Sequence, residues 1–180
     1  MTTFGGGWIV IQRRFDMSVD FNRNWEEYEN GFGQIDGGEF WIGNEYLHQL
    51  SQGKTNMELL VWVEDRNGES RFGWYKNFFI SGEDDFYRLS DDLALVDGLG
   101  GLEGHKGIQF SAGGIDRDTH ASVSCSDLFR GGWWFTSCAS SIVLNGNDLN
   151  PSYAYYGMSW WTWNHRKDKC RSEMMIKFTA

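Results

Sequence analysis

Cysteine, proline and positive charge are all scarce in this 180-residue chain, which has three Cys, one Pro and 16 basic residues against 25 acidic ones. The resulting net charge of -9 sets up a field that repels phosphate backbones and anionic lipid surfaces, so no nucleic-acid partner is expected. No apolar run approaches the length of a bilayer span, which excludes membrane insertion through a helix. The cysteines show no Cys-X-X-Cys spacing and no paired histidines stand near them, which argues against a zinc centre. Catalytic signatures are missing too: there is no Gly-X-Ser-X-Gly elbow, no His-Glu-X-X-His and no phosphate-cradling glycine loop with its lysine. His48, His105, His120 and His165 lie far apart, and Asp127 and Asp148 could pair as glycosidase acids only as any two carboxylates could. The expectation is a protein without enzymatic activity.

What the chain does contain bounds its class. Its length suits one core better than two ordinary domains, and 41% hydrophobic with 23% charged residues excludes disorder. Aromatic residues reach 17%, which serves either stacking surfaces for sugars and peptides or the filling of a glycine-rich core. Cys125 and Cys138 bracket a short loop that a disulfide would close, worth about 3 kcal/mol by chain entropy. Such a pair, with Cys170 left as an odd thiol, suits an oxidising, extracellular compartment. The opening MTTFGGGW has neither a charged n-region nor an apolar h-region, so a mature fragment of something larger is expected, with oligomerisation residing in upstream regions.

The stretch from Ile115 to Cys138 is almost without periodicity and reads as a built loop, neither helix nor strand. Asp116 and Asp118 stand two residues apart, so both carboxylates can turn to one point, a pattern that suits a hard divalent cation such as calcium. The EF-hand register would place acidic positions at Asp116, Asp118 and Asp127, but it fails: the glycine position is Ala121 and no amphipathic helix flanks the loop. Elsewhere, alternation predicts a strand over Gly5–Arg14, with Trp8, Val10 and Gln12 on one face. Trp25, Tyr28 and Phe32 mark a short helix capped by Asp20 or Asn22, and Asn44 is the expected cap of a second. Strands are expected over 57–64 and 70–79 around the Asn67-Gly68 turn, then over 87–90 and 173–178, with 91–104 a loop. The aromatics between Tyr153 and Trp163 show no spacing and are expected to line a surface.

An Asp-X-Asp loop, a cysteine, Gly131-Gly132-Trp133-Trp134-Phe135, a second cysteine and Leu144-Asn145-Gly146 follow one another in a specific order. Together with GGGWIVIQRR, VDFNRNWEEYENGFG and GEFWIGNEYLHQL, they make essentially the whole chain resemble the fibrinogen-related domain. That domain is shared by fibrinogen chain ends, ficolins, tachylectins and angiopoietins. The resemblance implies an α+β fold of the fibrinogen C-terminal type, with a central twisted antiparallel sheet, short helices and a large loop-rich calcium- and ligand-binding subdomain. It also implies a single domain over residues 1–180. Within it, about 1–50 form the N-terminal part, 51–106 plus 173–178 the central sheet, and 107–172 the loop-rich part.

The same resemblance implies a Cys125–Cys138 disulfide and calcium held by Asp116 and Asp118 with the backbone carbonyls of His120 and Ser122. It implies a cis peptide bond before Cys138 and a neighbouring pocket that recognises acetyl groups or peptide ends. The pocket residues carried over are Phe129, Ser137, Cys138, Ala139, Tyr155, Tyr156 and Trp160. Departures from the family pattern are Gly114 and Ala139, where aspartate and histidine are common, and the added bulk of Ile142-Val143. With no acidic group beside Tyr155-Tyr156 to receive a cationic peptide end, an acetylated carbohydrate is favoured. The expected function is therefore a secreted, lectin-like pattern-recognition module for N-acetylated glycans on microbial surfaces, with a receptor- or peptide-binding module as the alternative.

Overall fold

Met57, Leu59, Val61 and Val63 alternate along 57–63, so one face of that strand is apolar over this span, and this pattern sets the sheet. The computed structural model describes residues 5–53, 56–138, 141–147, 157–163 and 169–179. Its elements run β1 (Ile9–Arg14), α1 (Trp25–Asn30), β2 (Phe32–Gly33), β3 (Phe40–Trp41), α2 (Asn44–Ser51), β4 (Met57–Asp65), β5 (Ser70–Lys76) and β6 (Ala94–Gly98). After these come α3 (Cys125–Phe129), β7 (Ile142–Val143), β8 (Ser159–Trp160) and β9 (Lys169–Phe178). Seven strands form an antiparallel sheet in the order β2-β3-β1-β9-β4-β5-β6, and β7 pairs with β8 alone. This is the expected antiparallel sheet with a few short helices.

The inner face buries Met57, Leu59, Val61 and Val63 of β4 with Met174 and Ile176 of β9. Against it pack Trp133, Trp134, Phe135, Ile142, Leu144 and Trp160, so the loop-rich part and the sheet share one core. The strict alternation expected of β1 is interrupted. A shift in register between Val10 and Gln12 places Ile11 and Gln12 opposite Met174, a β-bulge that turns both inward. Gln12 and the fully buried Arg14 then reach the loop-rich part. The Gln12 amide donates to the Asn145 side chain, and the Arg14 guanidinium donates to the carbonyls of Leu144 and Gly146. Three residues of the Leu-Asn-Gly motif are thereby tied to the edge of the central strands.

Several local expectations give way to tertiary context. Helix α1 is capped by Asn24, in a reciprocal box with Glu27, because Asp20 spends its carboxylate on the Asn22 N–H and the Asn147 side chain. Asn44 does not cap α2; its side chain accepts from the Trp41 indole at 3.0 Å and Gly43 takes the cap position. Residues 87–90 contribute an isolated bridge at Leu89 instead of a strand, whereas β6 forms inside the stretch expected to be a loop. It does so because it pairs with β5 at the sheet edge, a backbone interaction that side-chain pattern does not report. The final strand is ten residues long, beginning four residues before the predicted start.

Candidate functional site

The loop from Ile115 to Cys125 is built on carboxylates that accept backbone N–H groups. Asp116 Oδ1 accepts from Asp118 N at 3.1 Å, Asp118 Oδ1 from His120 N at 2.7 Å, and Asp118 Oδ2 from Cys125 N at 2.7 Å. Two-residue Asx turns of this kind compact the segment locally. The last bond differs, since it joins the acidic pair to the first residue of α3. Contrary to the reading of 115–138 as wholly irregular, Cys125–Phe129 is helical, started by Ser124, whose hydroxyl accepts from Asp127 N. Arg117 N donates to Ser111 Oγ, and its guanidinium lies 3.5 Å over the Phe86 ring, so the loop is held from both sides.

Cys125 and Cys138 form the disulfide, across 13 positions of sequence. An Asp118 carboxylate oxygen and the two sulfurs lie within 4.8 Å of one another. Because the sulfurs are bonded to each other they are not thiolate ligands, and the metal-competent donors here are oxygens. Burial raises the Asp118 carboxyl above its ordinary range against the opposing N–H bonds of Cys125 and His120, and the neighbouring Asp116 charge adds to the rise. The carbonyls of His120 and Ser122 accept no hydrogen bond from any described residue. Two carboxylates and two unspent carbonyls on one turn make a donor set that fits a hard divalent cation.

The expected pocket residues separate into three groups. Ser137 is exposed and Cys138 half-buried, at the end of the disulfide loop. Phe129 and Trp160 are buried: Phe129 packs on Phe135 at 5.2 Å, and the Trp160 indole donates to the Gly100 carbonyl at 2.9 Å. Neither ring is an open wall, and the physical reason is visible in β7, whose Ile142 pairs directly with Trp160. Trp163 is buried as well, so the expectation of a surface-lining aromatic tail does not hold for these rings. Ala139, Asp148, Tyr155, Tyr156 and His165 lie outside the described residues. The peptide bond before Cys138 is trans, since there is no cis bond among the described residues.

One buried polar residue beside this site had no distinguishing pattern in the sequence. His105 is 1% exposed, and its Nδ1–H donates to the Trp134 carbonyl at 2.7 Å, inside the Gly-Gly-Trp-Trp-Phe block. Burial holds its pKa below the ordinary value. Gly131 and Gly132 of that block are there for space: a Cβ on Gly131 would stand 2.0 Å from the Asn145 carbonyl oxygen, and one on Gly132 2.7 Å from the Phe110 ring.

The antiparallel sheet with its few short helices is the fold of a known group of domains. The family model described as fibrinogen beta and gamma chains, C-terminal globular domain, matches residues 1–179, and the chain belongs to that family. Among curated relatives, human ficolin-3 is 42% identical over 163 residues, covering 89% of this chain and 53% of ficolin-3. Rat angiopoietin-2 is 38% identical over 168 residues, covering 88% of this chain and 32% of that protein. The chain thus spans about half and a third of these two relatives' lengths. Among solved structures, the fibrinogen-like globe domain of human ANGPTL2 superimposes with a TM-score of 0.89 at 34% identity, covering 99% of this chain and 83% of the other. The lamprey fibrin D-dimer, solved with the peptide ligand Gly-His-Arg-Pro-amide, gives 0.83 at 28% identity, covering 96% and 62%.

Proposed function

We propose that this domain is a secreted, lectin-like recognition module that binds N-acetylated carbohydrates of microbial surfaces in a pocket braced by calcium. The observation that carries the reading is the bond from Cys125 N to Asp118 Oδ2, which couples the acidic turn to the disulfide and through it to Ser137 and Cys138. Calcium on Asp116, Asp118 and the carbonyls of His120 and Ser122 would neutralise the paired carboxylates and fix that turn. The chain's own residues then do the recognising. Backbone N–H groups around Ser137, Cys138 and Ala139 hydrogen-bond the acetyl carbonyl, and Tyr155 and Tyr156 are the candidate walls for its methyl. Phe129 and Trp160, being buried, act from behind by holding the pocket's floor. Single-site affinity of this kind is weak and becomes useful through multivalency.

The supporting family relationship includes ficolin-3 and angiopoietin-2 alike. A receptor- or peptide-binding module is therefore the second reading, favoured by the burial of two of the four rings assigned to the pocket. Calorimetric titration of N-acetylglucosamine in millimolar calcium, with glucosamine as the non-acetylated control, separates the two. Heat from the acetylated sugar alone supports the lectin reading. Silence from both sugars in folded, calcium-loaded protein would overturn it in favour of protein binding.

A further inference from the structure

The sheet face turned away from the core cluster carries a cleft that lies apart from the disulfide and the acidic turn. Strand registers place Phe40, Arg13, Glu173, Trp62 and Phe72 in one row across β3, β1, β9, β4 and β5. Arg171, two residues before Glu173 on β9, faces the same side. Around this row opens a cleft of about 400 Å³ lined by Arg13, Arg14, Phe15, Trp62, Arg171 and Glu173. That volume falls in the range of small-ligand sites, roughly 300–1,000 Å³.

The chemistry of the lining is selective. Two guanidinium groups, of Arg13 and Arg171, are presented there, each held on one edge by a carboxylate, Glu173 and Glu64, while the Arg14 guanidinium is turned to the inner face. Arg13 meets Glu173 through Nε alone, at 2.9 Å, and its Nη edge bonds to no described residue. Arg171 touches Glu64 through Nη1 at 3.3 Å, with its side chain 54% exposed. The exposed Arg171–Glu64 pair contributes little to folding, so stability does not account for the position of Arg171. A guanidinium whose outer edge is open is a fork for carboxylate or sulfate oxygens. On β4, across Glu173 from Arg13 and diagonal to Arg171, the half-buried Trp62 offers a ring face of the sort on which a sugar stacks.

We propose that this cleft binds an anionic saccharide, with a pyranose ring laid on the Trp62 indole and its carboxylate or sulfate held by Arg13 and Arg171. Glu173, already fixed by Arg13, is placed to accept from a ring hydroxyl. The site is separate from the acetyl pocket and uses none of its residues, so it stands whether or not that pocket binds sugar.

The test is titration of tetragalacturonate, a heparin-derived tetrasaccharide, cellotetraose and sodium sulfate into the 180-residue chain and into Arg171→Gln and Arg13→Gln/Arg171→Gln. The Trp62 indole N–H resonance is followed alongside. Binding of either anionic tetrasaccharide, with a shift at Trp62 and an affinity loss of about tenfold in Arg171→Gln and more in the double variant, supports the site. Which tetrasaccharide binds distinguishes carboxylate from sulfate. Arg171→Gln changes an exposed side chain and is expected to melt with the parent, which keeps the comparison valid if the double variant is destabilised. Equal affinity in parent and variants, cellotetraose binding as well as the anionic sugars, sulfate alone matching them, or no binding of either anionic tetrasaccharide would overturn the proposal.

Discussion

Asp118 holds two backbone N–H groups while burial and Asp116 both resist its ionisation. Because its folded pKa lies above the ordinary 3.8, the group's contribution is present below that value and is lost as pH rises through the folded pKa. At neutral pH the ionised carboxylate is therefore a cost, and a bound cation would remove it. Asp116→Ala is expected to lower the melting temperature by roughly 5–10 °C in saturating calcium and to change it little in chelator. Scanning calorimetry in the two buffers checks this, and equal shifts in both would take calcium out of the account. His105 has the opposite sign. Its folded pKa is depressed by burial, so its contribution is intact above about pH 6.5 and is lost as pH falls toward the folded value. Urea unfolding between pH 7.5 and 5 should show stability falling by up to about 1.4 kcal/mol per pH unit, with a flatter profile in His105→Gln, which keeps an N–H donor for Trp134. A variant profile as steep as the parent's would place the titration elsewhere. The acidic pair was legible because Asp-X-Asp advertises itself by spacing. His105 was not, and neither was the fully buried Glu39, whose carboxylate accepts from the N–H groups of Phe15, Asp16, Met17 and Val19. Both are defined by partners distant in sequence, and single polar residues carry no periodicity.

Among the elements, those whose own side chains encode them were the readable ones. The β4–β5 hairpin follows from alternation plus Asn67-Gly68, and α1 from its aromatic spacing. Strand β6 was hidden because four of its five residues are exposed and nothing alternates. Helix α3, at five residues, is too short for a 3.6-residue period to show. The bulge in β1 defeated a two-residue alternation that held on either side of it. The Gly-Gly-Trp-Trp-Phe segment was recognisable as a motif without its mechanics being apparent. Those lie in the close approach of Gly131 to the Leu144–Gly146 backbone, so Gly131→Ala should destabilise by about 2 kcal/mol or more, measured by urea unfolding. A neutral result would mean the two segments can part without cost.

For the molecule as a whole, the order of motifs identified the fold before any single element did, because five separated stretches had to agree at once. The disulfide is the one covalent tie between the acidic turn and the pocket side, and its loop of 13 positions gives about 3 kcal/mol by the chain-entropy estimate. Reduction should therefore lower the melting temperature by roughly 6–12 °C, with the inner-face sheet amides losing less hydrogen-exchange protection than those of residues 115–138. Uniform loss of protection would mean the loop-rich part and the sheet open as one unit.

The central position of β9 has a consequence for how the chain reaches this state. Its partners in β1 lie some 158 to 167 positions earlier, from Arg14 with Ser172 to Ile9 with Ile176, so neither half of the sheet can be completed from local pairings. While the chain is being synthesised, β1 and β4 each present an unpaired, apolar-faced edge, and they must wait for a strand that leaves the ribosome after nearly everything else described here. Folding of this domain is thus a late, slow closure exposed to strand exchange between neighbouring chains, and its yield in cells should depend on chaperone occupancy of those two waiting edges.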